Sequence, residues 1–165
     1  MMHDSQLFAF EDDFVASLRC IPMAVRLKLD RSGIKLSLRQ WSRLTREDRR
    51  ALLERPCATD AHVRAYRESL IDLVARCCGQ AATLLNEPPA ALAQLGDDVP
   101  ATVTSLARTI GLSPPTPGEW RRLSELQRFA LIKLTRDNHD NVNFAPAMRE
   151  FGLARALPQP HCEGV

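Results

Sequence analysis

The stretch Trp41-Ser-Arg-Leu44-Thr45-Arg-Glu-Asp-Arg49-Arg-Ala51-Leu52-Leu53 decides the fold, because it recurs as Trp120-Arg-Arg-Leu123-Ser124-Glu-Leu-Gln-Arg128-Phe-Ala130-Leu131-Ile132. Trp41, Arg43, Leu44, Arg49, Ala51 and Leu52 keep their identity in the second copy, and Thr45/Ser124 and Leu53/Ile132 are near matches. Trp and Leu three residues apart share one face of a helix. The Thr or Ser that follows is a favoured N-cap, so each copy reads as a short helix, a tight break and a freshly capped second helix. A duplicated helical unit is the simplest account.

Working outward, Ser37 is the expected cap of the Trp41 helix, and Pro56 closes the helix capped by Thr45. Upstream, Phe10, Phe14, Val15 and Leu18 recur at helical spacing, with Glu11, Asp12 and Asp13 near the positive end of that helix. Pro22 ends it and opens the next, which runs through Met23, Val25, Arg26 and Leu29 to a cap at Gly33. Downstream, Asp60 is the expected cap of the longest helix, carrying Val63, Tyr66, Leu70, Leu73 and Val74 and ended by Gly79. From Gln80 to Asp98 the period fades, and a linker with at most one short helix is expected. Pro100 starts an amphipathic helix ended by Gly111. Thr116-Pro117-Gly118-Glu119 and Ser124-Glu125-Leu126-Gln127 are successive capping boxes. After the polar turn Arg136 to Asn143, Phe144, Met148 and Phe151 line a last helix. No segment alternates with period two, so the prediction is all-α: a compact bundle of about seven to eight short helices, essentially without sheet, with the Trp-led pair as an internal repeat. Residues 1–157 are expected to form a single helical domain and 158–165 a flexible tail.

A chain of 165 residues with 45% hydrophobic content buries roughly 70% of its unfolded surface without a metal or disulfide staple. Its 22 basic and 20 acidic residues leave a net charge of +2, too close to balance to imply nucleic acid or membrane. Arg outnumbers Lys by 19 to 3; planar recognition of carboxylates suits Arg, which leans towards a protein partner. No signal-peptide pattern and no stretch of membrane-spanning length is seen, so a cytoplasmic location is expected. Five cysteines (Cys20, Cys57, Cys77, Cys78 and Cys162) without a C-x-x-C pair read as reduced thiols rather than as metal or cluster ligands.

Each candidate residue has a plainer reading beside it. Trp41 and Trp120 are either partner anchors or core, and their register with Leu44 and Leu123 favours core. Arg49 and Arg128 are expected to form structural ion pairs with nearby carboxylates. Cys20, beside Arg19 and Arg26, leaves a small thiol or redox protein as one alternative. His139 between Asp137 and Asp140 has the flanks of a general base but no nucleophile or phosphate loop to complete a site. The Arg-rich first cassette, with Arg39, Arg43, Arg46, Arg49, Arg50 and Arg55, makes a nucleic-acid-binding regulator the other alternative. Interleaved Glu47, Asp48 and Glu54 favour a solvated face instead.

Two blocks carry a family resemblance. Phe10-Glu-Asp-Asp-Phe14-Val-Ala-Ser-Leu18-Arg-Cys20-Ile-Pro22-Met-Ala-Val-Arg26-Leu-Lys28-Leu-Asp30-Arg-Ser-Gly33-Ile-Lys35-Leu, followed by Trp41, resembles the N-terminal signature of the nitrate reductase associated proteins, small cytoplasmic bacterial proteins. Gln127-Arg-Phe-Ala-Leu-Ile-Lys133-Leu, with His139-Asp-Asn141-Val-Asn143-Phe-Ala-Pro146-Ala-Met-Arg-Glu-Phe151, is similar to that family's C-terminal block. The resemblance implies a non-catalytic accessory protein without cofactor or metal, whose partner is molybdenum-dependent assimilatory nitrate reductase in its apo or assembling form and whose role is maturation or activity of that enzyme. Genes of the family tend to lie beside those for the reductase and the molybdenum cofactor. No nucleic acid or membrane is implied. The polar residues inside the two blocks that helix packing alone does not explain, Arg19, Cys20, Arg26, Lys28, His139, Asn141 and Asn143, are the expected partner-binding positions.

Overall fold

A computed structural model describes residues 7–11, 19–136 and 139–158. The chain divides into two compact units, Met1–Ala93 and Gln94–Val165, and one Trp-led cassette lies in each. Helix dominates. The first unit contains α1 (Met23–Ser32), β1 (Ile34–Lys35), α2 (Leu38–Arg43), α3 (Arg46–Glu54), α4 (Asp60–Cys78), β2 (Thr83–Leu84) and α5 (Ala90–Ala93). The second contains α6 (Ala101–Thr109), α7 (Pro117–Arg122), α8 (Glu125–Leu134) and α9 (Phe144–Glu150). That is nine helices among the described residues rather than seven or eight. The four-residue α5 sits inside the stretch that reads as a linker.

The fold is essentially without sheet, as expected, apart from one two-residue pair. β1 and β2 pair antiparallel, Ile34 with Leu84 and Lys35 with Thr83, and Leu85 N donates to Gly33 O at 2.8 Å beside them. Two residues per strand are too few to show a period of two, so nothing in the local pattern announces the pair. Gly33 makes the reversal into β1 possible: at φ 66 it caps α1 from the left-handed region, where a side chain is disfavoured.

Caps explain most helix boundaries. Ser37, Thr45, Thr116 and Ser124 each accept from the backbone N–H three residues on and form reciprocal boxes with Gln40, Asp48, Glu119 and Gln127. The cap of α4 is Thr59, not Asp60, which is the first helical residue; both can accept, and the chain uses the one whose backbone is extended. α1 is capped from a distance. Pro22 has no side-chain acceptor, and Glu11 takes its place, its carboxylate accepting from Met23 N at 2.7 Å and Phe8 N at 3.2 Å. Glu11 therefore serves the following helix, and Ala9–Glu11 is a single 3-10 turn. The rest of the helix expected over Phe10 to Leu18 lies outside the described residues, as do Asp137 and most of the tail.

The cassettes pack as core. Trp41 and Trp120 are both 0% exposed, with Leu44 and Leu123 buried beside the chain breaks that follow them. In the first unit Val25, Leu52, Tyr66, Leu70 and Val74 complete the interior, with α1 packed on α4. In the second, Phe129 through Leu134 are buried without interruption, so α8 is surrounded, against α6 and α9.

The arginines at the matching place in the two cassettes spend their shorter bonds on helix-end carbonyls, and the ion pair expected of Arg128 forms with Asp97 besides. Arg49 Nε donates to Trp41 O at 3.0 Å and its Nη2 to Ser42 O at 2.9 Å; Arg128 does the same to Trp120 O at 3.0 Å and Arg121 O at 2.9 Å. A helix of six residues leaves most of its carbonyls without an internal N–H, and a guanidinium fork one helix later satisfies two of them. Arg128 adds a contact with Asp97 at 3.5 Å, but that carboxylate is largely exposed and contributes little.

Candidate functional site

The residues expected at a partner surface fall in both units. Arg19 is exposed and Cys20 half-buried just before α1, and Arg26 is half-buried one turn into it, with its Nε donating to Ile21 O at 3.2 Å. Lys28 points inward. It is 9% exposed, and its amine donates to Leu53 O and, at 2.6 Å, to Arg55 O. Asn143 caps α9 without a side-chain bond. Asn141, with its amide turned to donate, reaches Leu134 O at 2.6 Å and Arg136 O at 2.5 Å, closing the end of α8. His139 belongs to the 3-10 turn His139–Asn143; its side chain lies outside the described set. Arg19, Cys20, Arg26 and Lys28 are thus placed together at α1, and the three residues of the turn are placed together in the other unit.

Lys28 belongs to a buried cluster at the end of α3. Tyr66 donates its hydroxyl to Leu52 O at 3.0 Å, Arg31 Nη1 donates to Cys57 O at 3.2 Å, and the Cys57 thiol lies 3.9 Å from Lys28 O. Lys28, Tyr66 and Arg31 thus meet carbonyls that α3 or the turn after it leaves over, while the Cys57 thiol faces a carbonyl within α1. Burial sets the electrostatics. It pushes the Lys28 amine below its ordinary value, partly opposed by Cys57, and pushes the Cys57 thiol up against the pull of Arg31 and Lys28. The Tyr66 phenol is raised by the same cause. The bonds of this cluster tie α1, α3 and α4 together.

Cys20, Cys57, Cys77 and Cys78 are free, and among the described residues no group of three His, Cys, Asp or Glu is placed to hold a metal ion. No described helix is long and apolar enough to cross a membrane.

The first unit also carries a feature the sequence reading did not assemble. A solvent-open cleft of about 310 Å³ is lined by Lys35, Arg39 and Arg43 together with Ser37, Gln80 and Thr83, and no lining residue is acidic. Arg39 and Arg43, four apart on α2, share a helix face, and the β1–β2 pairing sets Lys35 beside Thr83. The i, i+4 arginines were visible in the sequence. Lys35, Gln80 and Thr83 were not, because two-residue strands bring them there. A second cleft, about 210 Å³, has mixed charge: Asp48 and Asp72 face Arg55 and Arg76, with Arg76 3.8 Å from Asp48. Its charges compensate one another.

No curated protein and no solved structure shows a match to the chain. A family does: the model of the conserved nitrate reductase-associated proteins matches residues 7–151, which takes in both signature blocks, both cassettes and the basic cleft. With a match of that extent, the chain belongs to the conserved nitrate reductase-associated protein family.

Proposed function

We propose that this protein is a non-catalytic, cytoplasmic accessory protein that binds molybdenum-dependent assimilatory nitrate reductase and supports its maturation or activity. The family match over residues 7–151 carries the reading. The disposition of several signature residues supports it: the exposed Arg19 and the half-buried Cys20, Arg26 and Asn143 lie beside helix ends. Lys28 enters as the residue that ties α1 to α3, and Asn141 as the closure of α8, so both shape the surface from behind. A helical binder of this kind acts by favouring one conformation of its client, such as an open, cofactor-accepting state, and it does so only through higher affinity for that state.

The experiment is capture and complementation. Tagged protein from nitrate-grown cells is expected to retain the reductase, identified by mass spectrometry, and a strain lacking the protein is expected to show low reductase activity that the wild-type gene restores. R19E, chosen because Arg19 is exposed, is expected to weaken both while leaving the helical circular dichroism unchanged. Full reductase activity in the deletion strain would refute the reading.

A further inference from the structure

The chain as a whole carries a net charge of only +2, yet the α2–hairpin cleft gathers three cations and no carboxylate. Among the described residues the Lys35 ammonium and the Arg39 guanidinium have neither an ion pair nor a hydrogen-bonded partner, their bonds being backbone ones, whereas the Arg43 guanidinium gives one N–H to Cys78 O at 3.4 Å at the end of α4. Elsewhere the buried Lys28 and the half-buried Arg49, Arg67 and Arg128 are fastened to carbonyls at or near helix ends, Arg67 to Ser32 O. The fold does not use Lys35 and Arg39 in this way. Between the lining residues Ser37 and Arg39, Leu38 stands 57% exposed, so an apolar contact is available at the rim.

A small phosphate or carboxylate ligand is the first candidate occupant, and magnitude argues against it. Lys35, Arg39 and Arg43 are all exposed, and an exposed ion pair changes an equilibrium by a factor of about five at most. Three of them hold a free anion no tighter than the millimolar range. The same charges acting on a large partner steer encounter and fix orientation, effects that depend on the field rather than on one tight bond. A partner segment also gains from Leu38, which a free anion cannot use.

We propose that this cleft docks an acidic segment of the reductase, its carboxylates over Lys35 and Arg39 and an apolar side chain against Leu38. The inference rests on the association with nitrate reductase proposed above and names where and by what chemistry that association is made. It is tested on the full chain by measuring association with the purified reductase apoenzyme at low and high salt. The variants are K35E/R39E and, as a control of equal charge change, R46E/R50E on the exposed face of α3. Expected is an association rate that falls about tenfold in K35E/R39E and on raising salt, with the control losing much less and both variants keeping wild-type circular dichroism. Wild-type association by K35E/R39E, an equal loss in the control, or indifference to salt each overturns the docking site while leaving the association itself standing. Micromolar binding of pyrophosphate, lost in K35E/R39E while reductase association is unchanged, overturns it in favour of a small-ligand site. Absence of any binding by the wild type refutes the association, and this inference with it.

Discussion

Replacing Arg128 by Lys keeps the charge and removes the fork, and the structure sets what that costs. Arg128 gives Nε to Trp120 O at 3.0 Å and Nη2 to Arg121 O at 2.9 Å, while Nη1 reaches Leu95 O and Gly96 O at 3.2 and 3.3 Å. Its side chain is 14% exposed, with the bonds to Trp120 O and Leu95 O partly buried and those to Arg121 O and Gly96 O at the surface. Charge-assisted bonds of this kind are worth about 1.5 kcal/mol at the low end of their range. Counting only the two shorter ones, R128A is expected to lose about 3 kcal/mol. An ammonium on a lysine stem can satisfy one carbonyl of the helix end but not two in the plane of a guanidinium, so R128K is expected to lose about half of that, roughly 1.5 kcal/mol. Against a total stability of about 5–15 kcal/mol for a domain, either loss is measurable.

Urea denaturation followed by tryptophan fluorescence reads the effect, since Trp120 is the residue whose carbonyl Arg128 holds. The slope with urea is expected to stay the same, with the midpoint moving down. R122K, at an exposed position at the end of α7, serves as the control and is expected to stay within about 0.5 kcal/mol of wild type. R128K as stable as wild type would show that charge near the end of α7 suffices and that the fork is incidental.

The remaining predictions concern the backbone, the cassettes and pH. G33A is expected to destabilise more than G79A: both sit at positive φ, but a methyl at Gly33 lands 3.1 Å from the Arg67 guanidinium that bonds Ser32 O, and at Gly79 it meets nothing within 4 Å. Thermal melts should place G79A about 1 kcal/mol below wild type and G33A lower still; equal losses would dismiss the Arg67 clash. T45A and S124A, each deleting one cap of a cassette's second helix, are expected to cost about 1 kcal/mol apiece by urea titration. Glu119 is held below its ordinary carboxyl value, first by the Thr116 backbone N–H and also by Arg155, which it meets at 2.8 Å. A depressed carboxylate contributes stability above its unfolded value of 4.5 and loses it as pH falls through the folded one. E119Q keeps an acceptor for Thr116 without the charge, so its deficit relative to wild type should shrink from pH 7 to pH 3.5; a constant deficit would mean the charge is idle.

Much of this fold is legible from capping chemistry, and the parts that are not share a cause. Ser37, Thr45, Thr116 and Ser124 declare their helices because box and apolar face are adjacent in the chain. Trp41 and Trp120 declare the core through their spacing to Leu44 and Leu123. Long-range substitutes leave no local trace: Glu11 capping α1 across twelve positions, Lys28 closing α3 from another helix, and Lys35 meeting Thr83 through strands of two residues. The carbonyl bonds of Arg49 and Arg128 left no trace in the sequence for a related reason. The sequence displays carboxylates as candidate partners, but a short helix offers carbonyl oxygens nearer at hand, and those are the same for every residue type.

That preference for carbonyls bears on how the arginine content should be read. A helix leaves about four carbonyls unsatisfied at its end whatever its length, a large share in helices of six to ten residues, so a fold rich in them needs donors that reach across a break, and guanidinium supplies up to five in a fixed plane. Arg31, Arg49, Arg67 and Arg128 are placed in that way. A basic composition in such a protein is therefore weak evidence for nucleic acid, because part of it is structural demand. What points outward is a cation that the backbone does not use and that lies in a concave site without a counter-charge. Lys35 and Arg39 meet that description where the signature residue Lys28 does not. Substituting Lys28 should therefore lower stability before it touches partner binding, and substituting Lys35 should do the reverse.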